Sequence, residues 1–138
     1  MSNSSTVRIR DLKVERIGHG VRSGEDPDLL RLLLDRKMPL EMCPSSNVAL
    51  GLFPSLAAHP VKRFAEQGLQ VTISTDDPPF MHTDIRAEYE GVARAHALTP
   101  TDMLGFTQRS IAAAFCNEPT KQALRARLSS WERTSPTS

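Results

Sequence analysis

Two adjacent carboxylates, Asp76 and Asp77, follow the most strand-like segment of the chain, residues 69–75 (Leu-Gln-Val-Thr-Ile-Ser-Thr). At the end of an apolar strand such a pair repels itself and loses hydration. It calls for a proton, a cation or several hydrogen-bond donors. Pro78 disfavours helical backbone at Asp77, so an extended pair with its side chains aimed apart is expected. One carboxylate can then hold a metal while the other takes a second task. A turn capped by an aspartate is the plainer reading of the same peptide, and the strand before it favours chemistry. His19 lies between Gly18 and Gly20, residues that allow unusual backbone angles and close approach. It reads either as an imidazole entering a pocket or as a turn residue with a local hydrogen bond. The third peptide of interest is Cys43-Pro44-Ser45-Ser46-Asn47.

Other chemistries find less support. Gly18-His19-Gly20 follows a short extended segment, and Glu41 lies about 20 residues on, as a dinucleotide-binding fingerprint requires. The third glycine position is Ser23, however, and the next helix opens only at Pro27, too late to meet a phosphate. H-E-x-x-H, G-x-S-x-G, a P-loop, H-x-E and P-C-x-x-C are all absent. His59 reads as a helix-end residue before Pro60, His82 as a solvent-facing loop residue, and His96 as a cation at a helix end. Cys43 and Cys116 read as buried apolar thiols, too few for a disulfide framework.

The elements that must position these peptides follow from the punctuation. Residues 14–17 are extended and stop at Gly18. Asp26 as N-cap and Pro27 at the first helical position open a helix with Leu29, Leu30, Leu33 and Leu34 on one face. Residues 40–43 read as a strand stopped by Pro44, residues 45–54 as a loop, and residues 60–67 as a short helix closed by Gly68. After the strand at 69–75, a helix over 84–96 is expected to bury Ile85, Tyr89 and Val92. Another helix opens at Thr99-Pro100-Thr101-Asp102, a capping-box sequence, and a last one runs over 119–128. Strands alternating with helices imply an α/β fold with parallel strands and right-handed crossovers. Ligands in such folds sit at the carboxyl ends of the strands, where all three peptides lie. Residues 1–8 are expected to be disordered, 9–128 to form the domain, and 129–138, rich in Ser, Thr and Pro, to be a flexible tail.

Composition narrows the function classes. Seventeen Lys and Arg against sixteen Asp and Glu give a net charge of +1, which argues against a nucleic-acid-binding face. No apolar run approaches the roughly 20 residues of a membrane span, and the first residues show no secretory signal. A cytoplasmic protein with reduced thiols is expected.

Taken in order, Glu15-Arg16-Ile17-Gly18-His19-Gly20-Val21, Cys43-Pro44-Ser45-Ser46-Asn47, His59-Pro60 and Ser74-Thr75-Asp76-Asp77-Pro78 resemble the carboxyl-terminal part of the adenosine deaminase family. The likeness runs from about residue 9 to residue 128. It implies a zinc-dependent (β/α)₈ hydrolase that replaces the C6 amine of a purine nucleoside with oxygen, converting adenosine to inosine and ammonia. By the same resemblance, Asp76 is a ligand of Zn²⁺, Asp77 hydrogen-bonds the purine ring at N7, and His19 orients the attacking hydroxide. Deamination of adenine or another aminopurine is the alternative on the same scaffold, and a non-catalytic remnant or complementing subunit is a further one.

The family also uses an H-x-H pair from its first strand and an H-A-G-E-type segment carrying the catalytic glutamate, and this sequence contains neither. A closed barrel takes about 250 residues. The chain is therefore expected to be a truncated fragment, a partial (β/α)₈ barrel of roughly the last three βα units plus carboxyl-terminal helices. Cut strands leave two open sheet edges and an apolar face that would otherwise fill the barrel. A complementing chain or self-association through these edges is the expected partner, and the isolated chain is expected to be marginally stable and inactive.

Overall fold

The computed structural model describes Ile9 and residues 13–134. The disorder expected for residues 1–8 lies outside the described residues, as does residues 135–138 of the tail. Three short strands form one sheet: β1 (Ile17–Gly18), β2 (Pro39–Met42) and β3 (Gln70–Ile73). They are parallel and ordered β1-β2-β3, with Ile17 opposite Leu40 and Leu40 opposite Val71. The α/β class and parallel topology expected from the element order are therefore present.

Between β1 and β2 lies α1 (Pro27–Asp35). The Asp26 carboxylate accepts from the backbone N–H groups of Asp28 and Leu29 at 3.0 and 3.1 Å, and Pro27 occupies the first turn, where its missing N–H costs nothing. Leu29 and Leu33 are buried. Between β2 and β3 come α2 (Pro44–Ala49), a short 3₁₀ turn at Leu56–Ala58, and α3 (Val61–Glu66). After β3 come α4 (Pro78–Met81), α5 (Ile85–His96), α6 (Pro100–Ala113) and α7 (Glu118–Thr134).

Several elements depart from the sequence expectation. The segment 45–54 is not all loop, because α2 opens directly at Pro44. Serine and asparagine have weak helix propensity, but here proline pre-sets the first turn and tertiary hydrogen bonds hold the polar side chains. The face of α5 that is buried carries Glu88 and Val92, whereas Ile85 is exposed. The last helix continues through the Ser/Thr-rich stretch to Thr134. Thr99 and Asp102 do form a reciprocal capping box at the start of α6.

The core joins one face of the sheet (Leu40, Met42, Val71, Ile73) to Leu29 and Leu33 of α1, Val61 and Phe64 of α3, Val92 of α5 and Phe106 of α6. Strand alternation sends Glu41 and its register partner Thr72 to the other face. That face is not the apolar surface expected from a cut barrel, since Glu41 pairs with Arg16 at 3.2 Å and Thr72 is buried. At β3, Arg109 of α6 donates from Nε to the Val71 carbonyl at 2.7 Å. Among the described residues, no helix is long and apolar enough to cross a membrane.

The sheet hydrogen bonds continue one step past the strands. His19 N–H donates to the Glu41 carbonyl at 2.8 Å, and Ser74 N–H to the Met42 carbonyl at 2.8 Å. These bonds bring His19, Cys43 and the peptide after Ser74 to one edge of the sheet.

Candidate active site at the strand ends

His19 and Asp76 both adopt left-handed backbone, with φ of 60° and 63°. Such angles are uncommon outside glycine, though Asp and His visit them more readily than most residues. The aspartate pair is consequently not extended, as the sequence suggested, but turned sharply at Asp76. The turn aims Asp76 across the strand ends at His19, with Nε2 of the ring 3.6 Å from Oδ2. Both side chains remain about one-third exposed, so the pair opens to a ligand. Next to it, Gly20 has φ 71°, and a Cβ there would stand 2.9 Å from Leu40 Cδ2. Glycine is required at that position on both counts.

The first turn of α2 delivers two polar side chains to this pair. Ser46 donates its hydroxyl to Asp76 Oδ2 at 2.6 Å. Asn47 places Nδ2 3.2 Å from His19 Nδ1, and its Oδ1 lies 3.0 Å from Nε2 of His59. Ser46, Asn47 and His59 are all buried. The α2 N-terminus is itself held by Glu88 of α5, whose Oε2 accepts from Ser45 N–H at 3.2 Å while Oε1 accepts from Thr83 Oγ1 at 2.9 Å.

Among the described residues, His19, Cys43 and Asp76 each offer one metal-ligating atom, all within 4.8 Å of one another. An imidazole nitrogen, a sulfur and a carboxylate oxygen are the donor types that zinc accepts. Burial, followed by the charges of Asp76, Glu88 and Glu41, pushes the Cys43 thiol up to about 12, so without a cation it stays protonated. Asp77 has φ −115° and precedes α4, but its side chain does not cap that helix. It is exposed next to Asp76, and His82, at the other end of α4, is exposed as well. A groove of about 410 Å³ between α3 and α6, lined by Lys62, Glu66, Asp102 and Arg109, contains none of the motif residues and has no part in this chemistry.

The adenosine deaminase family model matches residues 3–131. The chain belongs to the adenosine deaminase family. An adenine deaminase of Rhizobium leguminosarum bv. trifolii (strain WSM2304) is 51% identical over 113 residues, spanning 82% of this chain and 35% of the relative. The crystal structure of adenine deaminase from Arthrobacter aurescens superposes with a TM-score of 0.91 at 29% identity, covering 94% of this chain and 40% of that one. An amidohydrolase from Burkholderia ambifaria, solved with bound Zn, gives a TM-score of 0.76 at 26% identity, covering 90% and 35%. The chain thus spans well under half the length of the proteins it resembles.

For this adenosine deaminase family chain, the motifs that carried the resemblance converge in space, with Asp77 exposed next to Asp76. His59 ends the 3₁₀ turn, as its place before Pro60 suggests, and is also 2% exposed and held inside the hydrogen-bond chain. Cys43 is buried, as expected, and its sulfur also lies within 4.8 Å of the ligating atoms of His19 and Asp76, whereas Cys116, expected to be buried as well, is only half-buried. The Ser-Ser-Asn run after Cys43-Pro44 was the available signal: three small polar residues in the first turn of a helix, at a strand end, have little reason to be there for packing.

Proposed function

We propose that this chain is the carboxyl-terminal portion of a metal-dependent purine deaminase of the (β/α)₈ type, acting on adenine. The observation that carries the reading is the His19–Asp76 pair at the strand ends, 3.6 Å apart, with the Ser46 hydroxyl on the same carboxylate oxygen. Adenine is preferred over the adenosine first expected from the motifs, because the half-identical relative and the structural neighbour with the highest TM-score given above are both adenine deaminases.

The reaction is a hydrolysis. Water adds at C6 of the purine, the exocyclic amine leaves as ammonia, and an oxo group remains. A zinc-type ion, when bound, supplies Lewis acidity that lowers the pKa of water to near neutrality. Asp76 would hold such an ion through its carboxylate, whose orientation Ser46 fixes. His19 presents Nε2 beside it and orients the attacking water. Asp77, exposed and uncommitted to α4, accepts or shares a proton at the purine ring N7. Asp76 and Asp77 repel one another less when a cation is bound, which would favour its retention. The H-x-H and H-A-G-E-type peptides of the family do not occur in this sequence, so the family's remaining metal ligands and its general acid are not among these residues.

A chimera tests the reading. This chain replaces the corresponding carboxyl-terminal segment of the Rhizobium leguminosarum enzyme, and adenine and adenosine turnover are followed by ultraviolet absorbance. Adenine turnover that is lost on Asp76→Ala supports the proposal. A folded chimera that deaminates adenosine in preference to adenine overturns the substrate, and turnover surviving Asp76→Ala overturns the site.

A further inference from the structure

The chain from α3 to His19 has a direction, and a backbone group sets it. Val61 N–H donates to Nδ1 of His59 at 3.2 Å. A backbone N–H can only donate, so Nδ1 of His59 is an acceptor and carries no proton. A neutral ring then has its proton on Nε2, which faces Asn47 Oδ1 at 3.0 Å. Burial, followed by the charges of His96 and His19, lowers the His59 pKa to about 4, so the ring is neutral at physiological pH. The amide of Asn47 is thereby oriented. Reversing it would set its N–H₂ against the His59 N–H, donor against donor. With Oδ1 committed to His59, Nδ2 points at His19 Nδ1 at 3.2 Å and donates to it. His19 Nδ1 is an acceptor in turn, and its own proton sits on Nε2, the atom that faces Asp76.

We propose that His59 and Asn47 are positioning residues that hold His19 in its Nε2–H form, the form that the water-orienting role proposed above requires and that metal ligation through Nε2 forbids. The metal-ligand geometry alone leaves both roles open, since His19, Cys43 and Asp76 lie within ligating distance of one another. Ligation through Nε2 requires that nitrogen to be bare, and the relay places the proton there. His19 then donates toward the water or hydroxide beside Asp76, which is what orienting a nucleophile demands. The buried relay residues exclude water from its far end, with Asn47 1% and His59 2% exposed. The Phe53 ring packs edge-on against His59 with centroids 5.0 Å apart and fixes the ring plane. The functional consequence rests on the deaminase reading, whereas the tautomer does not.

The test reads the ring protons directly. The full chain is labelled with ¹⁵N-histidine and long-range ¹H–¹⁵N correlations are recorded above neutral pH. His19 and His59 are expected to carry their protons on Nε2. In Asn47→Asp a carboxylate replaces the amide donor with an acceptor, and the His19 proton is expected to move to Nδ1. His59→Gln retains a donor toward Asn47 and is expected to leave His19 in the Nε2–H form, whereas His59→Phe is expected to give a mixture. A side chain with a purely structural role moves none of these signals. A wild-type His19 with its proton on Nδ1, or equally divided, overturns the relay even if no variant folds. An Asn47→Asp chain with an unchanged His19 tautomer overturns it as well. The readout is independent of turnover, so a failure to deaminate purines counts against the activity and not against the relay.

Discussion

Ser46 donates its hydroxyl to Asp76 Oδ2 at 2.6 Å, so the first turn of α2 controls how the strand-end carboxylate is presented. Ser46 is fully buried and Asp76 is not, and the bond therefore ties an exposed ligand to a rigid support. Groups that orient a metal ligand in this way typically contribute about 10–100-fold in metal affinity. Ser46→Ala is expected to weaken zinc binding by roughly that factor in isothermal titration of the chimera described above, in which the rest of the barrel supplies the remaining ligands, with stability in the metal-free state unchanged to within about 1 kcal/mol. Equal zinc affinities for the two proteins would remove Asp76 from the ligand set.

The two glycines around His19 are not equivalent. Gly20 has φ 71° and a virtual Cβ 2.9 Å from Leu40 Cδ2, whereas a Cβ on Gly18 meets nothing within 4 Å. Leu40 is fully buried and has little room to move aside. Gly20→Ala is expected to cost about 1–2 kcal/mol from backbone strain alone, and more where Leu40 must shift. Gly18→Ala is expected to stay within about 0.5 kcal/mol of wild type. Urea unfolding of the two variants, compared at equal m-values, checks the contrast.

The strand-end placement of the site was legible in the sequence because the signals were local. Asp26-Pro27 opens α1, Thr99 and Asp102 cap α6, and β-branched residues precede Asp76-Asp77. Each acts through bonds or sterics within a few residues. The angles at His19 and Asp76 were not legible, because they follow from where the neighbouring strand and α2 hold those residues. Asn47 and His59 are twelve positions apart in sequence, and no spacing rule joins an asparagine in one short helix to a histidine before another. Glu88 was missed for a related reason: periodicity assigns apolar residues to the buried face, and a buried carboxylate satisfied by Ser45 and Thr83 has no periodic signature.

Glu88 is 1% exposed and anchors α2 by accepting from Ser45 N–H and Thr83 Oγ1. Ser45 N–H can only donate, and the Thr83 hydroxyl, which can donate or accept, donates here, so both carboxylate oxygens act as acceptors. Glu88→Met keeps the length but removes both acceptors, which leaves Ser45 N–H without its side-chain partner. The expected loss is about 1–3 kcal/mol, read as a lower urea midpoint. Because α2 carries Ser46 and Asn47, hydrogen exchange at residues 45–50 is expected to accelerate more than exchange in β2. Uniform acceleration across both would show that Glu88 supports the whole domain and not α2 in particular.

His59 gives the fold a pH dependence with a defined sign. Its pKa falls from the ordinary 6.5 to about 4, first through burial and then through the charges of His96 and His19. Above the ordinary value both the folded and the unfolded ring are neutral, and His59 contributes no slope. As pH falls from 6.5 towards 4, the unfolded ring takes up a proton that the folded ring refuses, so the unfolded state gains. Stability is expected to decline over that window by at most about 3 kcal/mol from this residue, and the decline to end once the folded ring also protonates. Protonation at Nδ1 would further set a donor against Val61 N–H, which adds to the reluctance of the buried ring. His59→Gln has no titrating group and is expected to lose this component of the slope while retaining the contribution of the carboxylates. Urea midpoints at about pH 7 and about pH 5 for both proteins measure the difference. Parallel pH profiles would show that the His59 ring is accessible to protons in the folded state.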